Sequence, residues 1–200
     1  MRMSSTATNV SRRPSPTVQP GPAVIAIAWV MALWCLGFAA VNIVLESTDS
    51  LAAGEYAAYA AAFTVMNWLV VGLKLLAAVV ALLSLSKRPP WPPPGLLGVL
   101  VWSVFATLAV YVLGSIAQAL GMLLGLSGSA SQIDLAGVAY VIFFLLAATG
   151  WGVLAVSYSE RHTLGWRTAV LGALGAPIVL GLVLVAMPML LADLGLMPRS

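Results

Sequence analysis

The chain has 200 residues, of which 62% are hydrophobic and only 8% charged, with a formal net charge of +3. Soluble domains carry roughly 25% charged residues, and a chain this short has too little interior to hide so much apolar surface. Lipid must cover much of it, so the sequence predicts an all-α integral membrane bundle. The few basic residues form no run, which argues against a nucleic-acid partner. Its single cysteine, Cys35, excludes an intrachain disulfide.

Five apolar segments follow one another along the chain, each at least as long as the roughly 20 residues that a bilayer requires. A leader at 1–22, rich in Ser, Thr, Pro and Arg, precedes them and is expected to be disordered in the cytoplasm. A short tail, 193–200, follows them. The predicted five-helix domain covers 23–192, with spans at 23–45, 57–85, 96–126, 135–157 and 168–191.

The connections and one span contain recognisable signals. Five prolines in 87–95 predict a hard break with Trp91 in the headgroup layer, or alternatively a proline-rich ligand for an aromatic groove. Asp134 follows a turn of small residues and is expected to cap the next helix. Pro177, in the middle of the fifth span, predicts a kink.

The charges predict the topology. With the N-terminus in the cytoplasm, basic residues occupy every cytoplasmic segment and acidic residues occupy the outer loops, as the positive-inside rule requires. Only Arg199 and Glu160 depart from this pattern. The prediction is a multi-pass plasma-membrane protein with its C-terminus outside, and the Ala-, Gly-, Pro- and Arg-rich composition is typical of a GC-rich bacterial gene.

The second span contains one lysine, Lys74, deep within an apolar run that has no other charge between Glu55 and Lys87. Lys74 lies twelve residues from Ser86, which is about 18 Å along a helix. Half of the hydrocarbon layer is roughly 15 Å thick, so Lys74 is expected near the midplane. A charge there costs on the order of 3 kcal/mol on insertion scales, and something must offset it.

Small and polar side chains recur at helical spacing in the second and third spans. Counting from the proline-rich connection places the lysine level with a threonine of the third span. One turn or two further out, polar residues of the first three spans are expected to form one hydrogen-bonding layer. The candidate intramembrane polar or partner site is therefore Lys74, Asn67, Asn42, Thr107, Ser115 and Gln118.

Three interpretations of Lys74 stay open. It extends towards the cytoplasmic headgroups while polar residues hold the helices together. It pairs with an acidic residue of a second copy or of a second membrane subunit, because no carboxylate lies inside a span of this chain. Or it belongs to a site for a proton or an anionic ligand.

Other motifs carry little chemistry. Gly121 and Gly125 match the GxxxG pattern and are expected to pack helices. His162 has no second histidine and is expected to be solvated. No motif of a hydrolase, metalloprotease, nucleotide-binding loop or Rossmann fold is present, so neither catalysis nor a cofactor or metal is predicted.

The function that the sequence favours is a non-enzymatic accessory, assembly or sensor-like membrane module. The alternative is a small carrier or channel component with an intramembrane site at Lys74 and Asn67. One complete pair of inverted repeats within the chain is disfavoured, because five spans do not divide into equal halves.

Overall fold

The computed structural model describes residues 19–48, 60–87, 91–182 and 186–195. These residues are helical apart from short turns and contain no strand, which confirms the all-helical class. Four of the helices, α1 to α4, are long and apolar enough to cross a membrane. The helices are α1 (Pro22–Ser47), α2 (Ala60–Leu83), α3 (Pro94–Leu123), α4 (Leu135–Arg161), α5 (Trp166–Gly181) and α6 (Met187–Asp193).

Several predictions fall on residues outside the described ranges. They concern parts of the leader, of the second span, of the proline-rich connection and of the tail. The ranges are 1–18, 57–59, 88–90 and 196–200. Within the described part of that connection, Trp91 is 77% exposed.

The helices pair unevenly. α1 packs along α2, α3 packs along both α4 and α5, and α1 also contacts α4, whereas α2 and α3 touch only sparsely. The buried core combines small side chains of α1 and α2 with large ones of α4, since Trp151, Leu154 and Tyr158 are fully enclosed. The weak α2–α3 pairing leaves a gap in the bundle at the level of Lys74.

Glycines of α5 allow its backbone to approach α3 closely. A Cβ added at Gly172 would overlap the Cβ of Trp102 and stand 2.9 Å from the carbonyl oxygen of Val99. One at Gly175 would stand 2.5 Å from Oγ of Ser103. The two backbones therefore approach as in small-residue helix packing, and Ser103 Oγ donates to the carbonyl of Gly172 at 3.1 Å.

The two glycines of the GxxxG pattern do not both lie in α3, and helix packing through them stays a prediction. The helix ends at Leu123, and Gly125 lies beyond it with φ of 70°. The amide of Leu126 donates to the carbonyl of Gly121, and the amide of Gly125 donates to that of Met122. This is a Schellman motif, in which glycine supplies the left-handed conformation that closes a helix. Gly125 thus ends the third helix earlier than the predicted residue 126.

Other helix boundaries follow local chemistry. Asp134 caps α4 as predicted, since its carboxylate accepts the amide of Gly137 at 2.7 Å. α4 continues one turn past the predicted residue 157, to Arg161. The region of the fifth predicted span, 168–191, contains two shorter helices, α5 and α6. α5 runs through Pro177, and the first departure from α-helical geometry is a π-type turn at Leu182.

Candidate functional site

The ammonium group of Lys74 lies against aromatic rings of α1. Its Nζ is 4.1 Å from the ring centroid of Phe38 and 5.2 Å from that of Trp34. These rings are four residues apart and so occupy one face of α1. No carboxylate in the described ranges forms an ion pair with Lys74. The charge is met by the negative faces of two rings instead.

The helix register shows that Lys74 does not extend towards the end of α2. Asn67, seven residues earlier in α2, donates its amide to the carbonyl of Asn42 at 3.0 Å and to Oε2 of Glu46 at 3.2 Å. Seven residues further along α2, the Lys74 ammonium contacts Phe38 and Trp34, which lie four and eight residues before Asn42 on the antiparallel α1. The Lys74 ammonium lies at its own level in the bundle, in agreement with side chains tilting towards a helix N-terminus.

The aromatic contacts offset only part of the free-energy cost of burying the Lys74 charge. A cation–π contact contributes roughly 0.5–1 kcal/mol when exposed and about 2 kcal/mol when desolvated. Placing a charged lysine at mid-bilayer costs on the order of 3 kcal/mol or more. The remaining hydrogen-bonding capacity of the ammonium is unused, because aromatic faces accept no conventional hydrogen bond. Lys74 therefore retains an unmet demand for an acceptor.

The rings beside Lys74 belong to a larger aromatic cluster that ties α1 to α4 and α3. Phe38 and Trp34 contact Phe143 and Phe144 of α4, and Phe144 contacts Tyr111 of α3. Ring centroids are 4.7 to 6.0 Å apart in these contacts. The cluster fixes the positions of the two rings that face the lysine.

Lys74 also lines a cavity of about 260 Å³ between α2 and α3, with α1 behind it. Thr107 and Ser103 of α3 line the same cavity as Lys74. Trp34 and Cys35 line the back of the cavity, and nearly all the remaining lining is aliphatic. Among the described residues that line it, Lys74 is therefore the one cation in an otherwise largely apolar wall.

Two hydrogen-bond donors of residues that line this cavity have no acceptor among the described residues. The indole Nε1 of Trp34 is buried and has no hydrogen-bond partner. Ser103 and Thr107 already donate to the carbonyls of Gly172 and Ser103, respectively. The ammonium and the indole N–H are thus two donors without acceptors. Such an arrangement suits an anionic or acceptor-bearing group from outside the described chain.

The single outer hydrogen-bonding layer that the sequence predicts is divided in two. Asn42 and Asn67 meet between α1 and α2, and Asn42 contributes its backbone carbonyl. Ser115 and Gln118 instead line a second cavity of about 420 Å³ between α3 and α4, and Ser115 Oγ donates within its own helix to Tyr111. No hydrogen bond joins the two pairs in the residues that the structure describes. α3 turns this face to α4 because α4 and α5, not α2, are its main neighbours.

A second cation, Arg161 at the end of α4, has a different environment. Its Nη2 donates to the carbonyl of Ser84 at 2.8 Å and its Nε to that of Ser157 at 3.2 Å. Ser84 is fully buried just beyond the end of α2. The guanidinium also lies 5.7 Å from the ring centroid of Tyr158. Arg161 thereby joins the end of α4 to the end of α2.

His162 is not the solvated residue that the sequence suggests. Its ring is 4.3 Å from that of Tyr158, and its Nε2 is buried without a hydrogen-bond partner. Burial lowers the pKa of His162 and the positive charge of Arg161 lowers it further, while a backbone hydrogen bond with Ser86 acts in the opposite direction. The site therefore favours the neutral imidazole.

Sequence reasoning did not find the aromatic rings of the Lys74 site. The pair Trp34 and Phe38 is visible as an i, i+4 aromatic pattern in the first span, yet nothing in that pattern says which helix it faces. By contrast, Thr168, Gly172 and Ala176 of α5 are small residues at i, i+4 and i+8, and this spacing does predict close helix packing.

A comparison with known protein families, with curated proteins and with solved structures finds no match to this chain. The described residues form an all-helical structure in which four helices are long and apolar enough to cross a membrane. The Lys74 cavity is the feature on which a functional proposal rests.

Proposed function

We propose that the chain is a plasma-membrane protein with five spans, a cytoplasmic N-terminus and an external C-terminus. The ends of the helices support this topology. Glu46, Asp134 and Asp193 lie at one end of the bundle, and Lys87 and Arg161 lie at the other. The fifth span consists of α5 and α6 with the residues between them.

The proposed role is that of a non-enzymatic accessory, assembly or sensor-like membrane module that binds an acidic group at Lys74. The single observation that carries the proposal is the Lys74 ammonium, which lines an apolar cavity and meets only aromatic rings within the described residues. A buried lysine is strongly favoured when a carboxylate or another anion completes it. That group comes from a second subunit, a second copy or a bound ligand.

Native mass spectrometry of the full-length protein, released from mild detergent, tests this role. Lys74→Met removes the ammonium while keeping a long apolar side chain, and Lys87→Met is the matched control because Lys87 is exposed beyond α2. We expect an acidic species, polypeptide or small molecule, to accompany the wild type and Lys87→Met. Its occupancy should fall at least about tenfold in Lys74→Met, which corresponds to about 1.4 kcal/mol. The same bound species at the same occupancy in all three proteins would refute the role.

A carrier or channel component is the second candidate. It is favoured by the position of Lys74 between polar groups nearer the two helix ends: Asn67 with Glu46 on one side, and Ser84 with Arg161 on the other. Transporter sites commonly lie near the membrane midplane. In proteoliposomes with an internal pH indicator, this function predicts proton or weak-acid entry that Lys74→Met abolishes while the variant still inserts. Entry equal to that of protein-free liposomes would exclude it.

A further inference from the structure

We propose that the acidic group received by Lys74 is the carboxylate of a single-chain amphiphile dissolved in the bilayer, which reaches the cavity between α2 and α3. This inference rests on the proposed function and names the ligand class of the same site. It is carried by the size of the cavity, its charge and the side on which it opens.

The cavity is too small for a helix of another subunit. Its volume is about 260 Å³, just below the roughly 300–1,000 Å³ of small-molecule pockets, whereas a helix with its side chains is about 10 Å across. Residues of four helices surround the space, including Val179 of α5. A headgroup and the first part of one hydrocarbon chain match these dimensions, and a two-chain lipid does not.

The charge of the cavity matches a monoanion that offers acceptors. Lys74 contributes one positive charge, and the rest of the lining that the structure describes is almost entirely apolar. Phosphate recognition commonly employs the bidentate fork of arginine or several donors, and no arginine among the described residues lines this cavity. A carboxylate needs fewer partners and leaves less charge to compensate at this depth.

The route to the cavity is through the bilayer. α2 and α3 are the most weakly paired neighbours among the long helices that are consecutive in the chain. Leu76, which lines the cavity, is 51% exposed on the outer surface of α2. A carboxylic acid crosses hydrocarbon in its neutral form and gives its proton to the amine of Lys74, so that ammonium and carboxylate form together, while a phosphodiester stays charged. The gap therefore admits an amphiphilic acid without a water-filled pathway.

Palmitic acid and methyl palmitate are the probes that test the inference. They share a chain length, but only the acid forms a carboxylate. The full-length protein in lipid nanodiscs is titrated with each and analysed by native mass spectrometry for one-to-one adducts. Methyl palmitate controls for adsorption to the lipid-facing surface. We expect the wild type and Lys87→Met to reach half occupancy at an acid concentration at least about tenfold below that of the ester, equivalent to about 1.4 kcal/mol.

Lys74→Met and Lys74→Gln should bind the acid only as weakly as the ester. Equal binding of acid and ester by the wild type would overturn the inference, and that comparison needs no variant to fold. Undiminished preference for the acid in the Lys74 variants would also overturn it. If acid and ester bind equally while the preparation retains a polypeptide whose occupancy depends on Lys74, the ligand class is wrong and the proposed function stands. If no bound species depends on Lys74, both fail.

Discussion

Two cations of this bundle, Arg161 and Lys74, are accommodated in opposite ways. Arg161 donates to two backbone carbonyls and lies beside one aromatic ring. Lys74 lies beside two aromatic rings and donates to no acceptor in the described ranges. Both side chains are partly buried, so the difference does not come from burial alone.

The difference follows from where each cation lies along the helices. The last carbonyls of a helix have no intrahelical partner and carry partial negative charge. Arg161 reaches Ser84, just after the end of α2, and finds such a carbonyl. Lys74 lies in mid-helix, opposite the middle of α1, where the carbonyls are already used by the helices themselves. A cation in mid-helix therefore needs a hydrogen-bond acceptor from outside these helices, and the proposed site rests on this need.

The two sides of α3 also differ, in how closely they pack against neighbouring helices. Towards α5 it is in backbone contact through glycines, and towards α2 it leaves the cavity beside Lys74. The closely packed side holds the bundle together, and the open side is available for binding. Substitutions on the two sides should consequently have different effects on stability.

The largest effect is expected at Gly172. Gly172→Ala places a methyl group where Trp102 and the carbonyl of Val99 already lie, and overpacking of this kind costs about 3 kcal/mol when backbone must move. The temperature at which the protein loses its monodisperse peak in size-exclusion chromatography should fall clearly. Gly181→Ala is the matched control on the same helix, because a Cβ there meets no atom within 4 Å. Equal loss of stability in both variants would contradict the claim that close packing of α3 on α5 depends on the glycine at position 172.

A smaller loss is expected at Arg161. Arg161→Met removes hydrogen bonds from a charged donor to Ser84 and Ser157, with an expected cost of about 2 kcal/mol. Unfolding by a denaturing detergent in mixed micelles measures the change. Without bound ligand, Lys74→Met should lose less than Arg161→Met, because the ammonium of Lys74 has no such acceptors to lose. The reverse order would show that the cation–π contacts of Lys74 are the stronger anchor.

The smallest effect concerns pH at the Arg161 end of the bundle. Because the pKa of His162 is lowered in the fold, the stability contributed by its neutral form is present above the unfolded pKa of about 6.5 and is lost as the pH falls through the folded pKa. Acidification from about pH 7.5 to about pH 5 should therefore lower the unfolding temperature. His162→Phe keeps a ring against Tyr158 and should reduce this change, whereas an unchanged pH profile in that variant would exclude His162 as its source.

The sequence predicts the elements better than their pairing. The length and polarity of the apolar segments locate α1 to α4 to within a few residues, except at the start of α2, where 57–59 lie outside the described ranges. The local chemistry of Asp134 predicts its cap. These features depend on residues close together in the chain. Counting residues from the connection also predicts that Lys74 and Thr107 lie near each other, and both line one cavity.

The composition of the site could not be predicted because it depends on which helices become neighbours. Consecutive elements usually lie side by side, so the third span was expected to face the second along its polar stripe. Instead α3 packs on α4 and α5, which moves Ser115 and Gln118 to another cavity. The rings of Trp34 and Phe38 reach Lys74 through the α1–α2 pairing, which no local pattern encodes. Gly125 shows the same limit, since one glycine pattern fits both a packing motif and a helix terminus.

The most direct test of the account is the effect of palmitic acid on the unfolding temperature of the wild type and of Lys74→Met in nanodiscs. A ligand that binds only the folded protein stabilises it in proportion to the logarithm of its concentration over Kd. At about a hundredfold excess over Kd, the Tm of the wild type should rise by about 5 °C, and methyl palmitate should leave it nearly unchanged. Lys74→Met should show no difference between acid and ester. An equal rise in the wild type and in Lys74→Met would contradict the claim that Lys74 receives an acidic group.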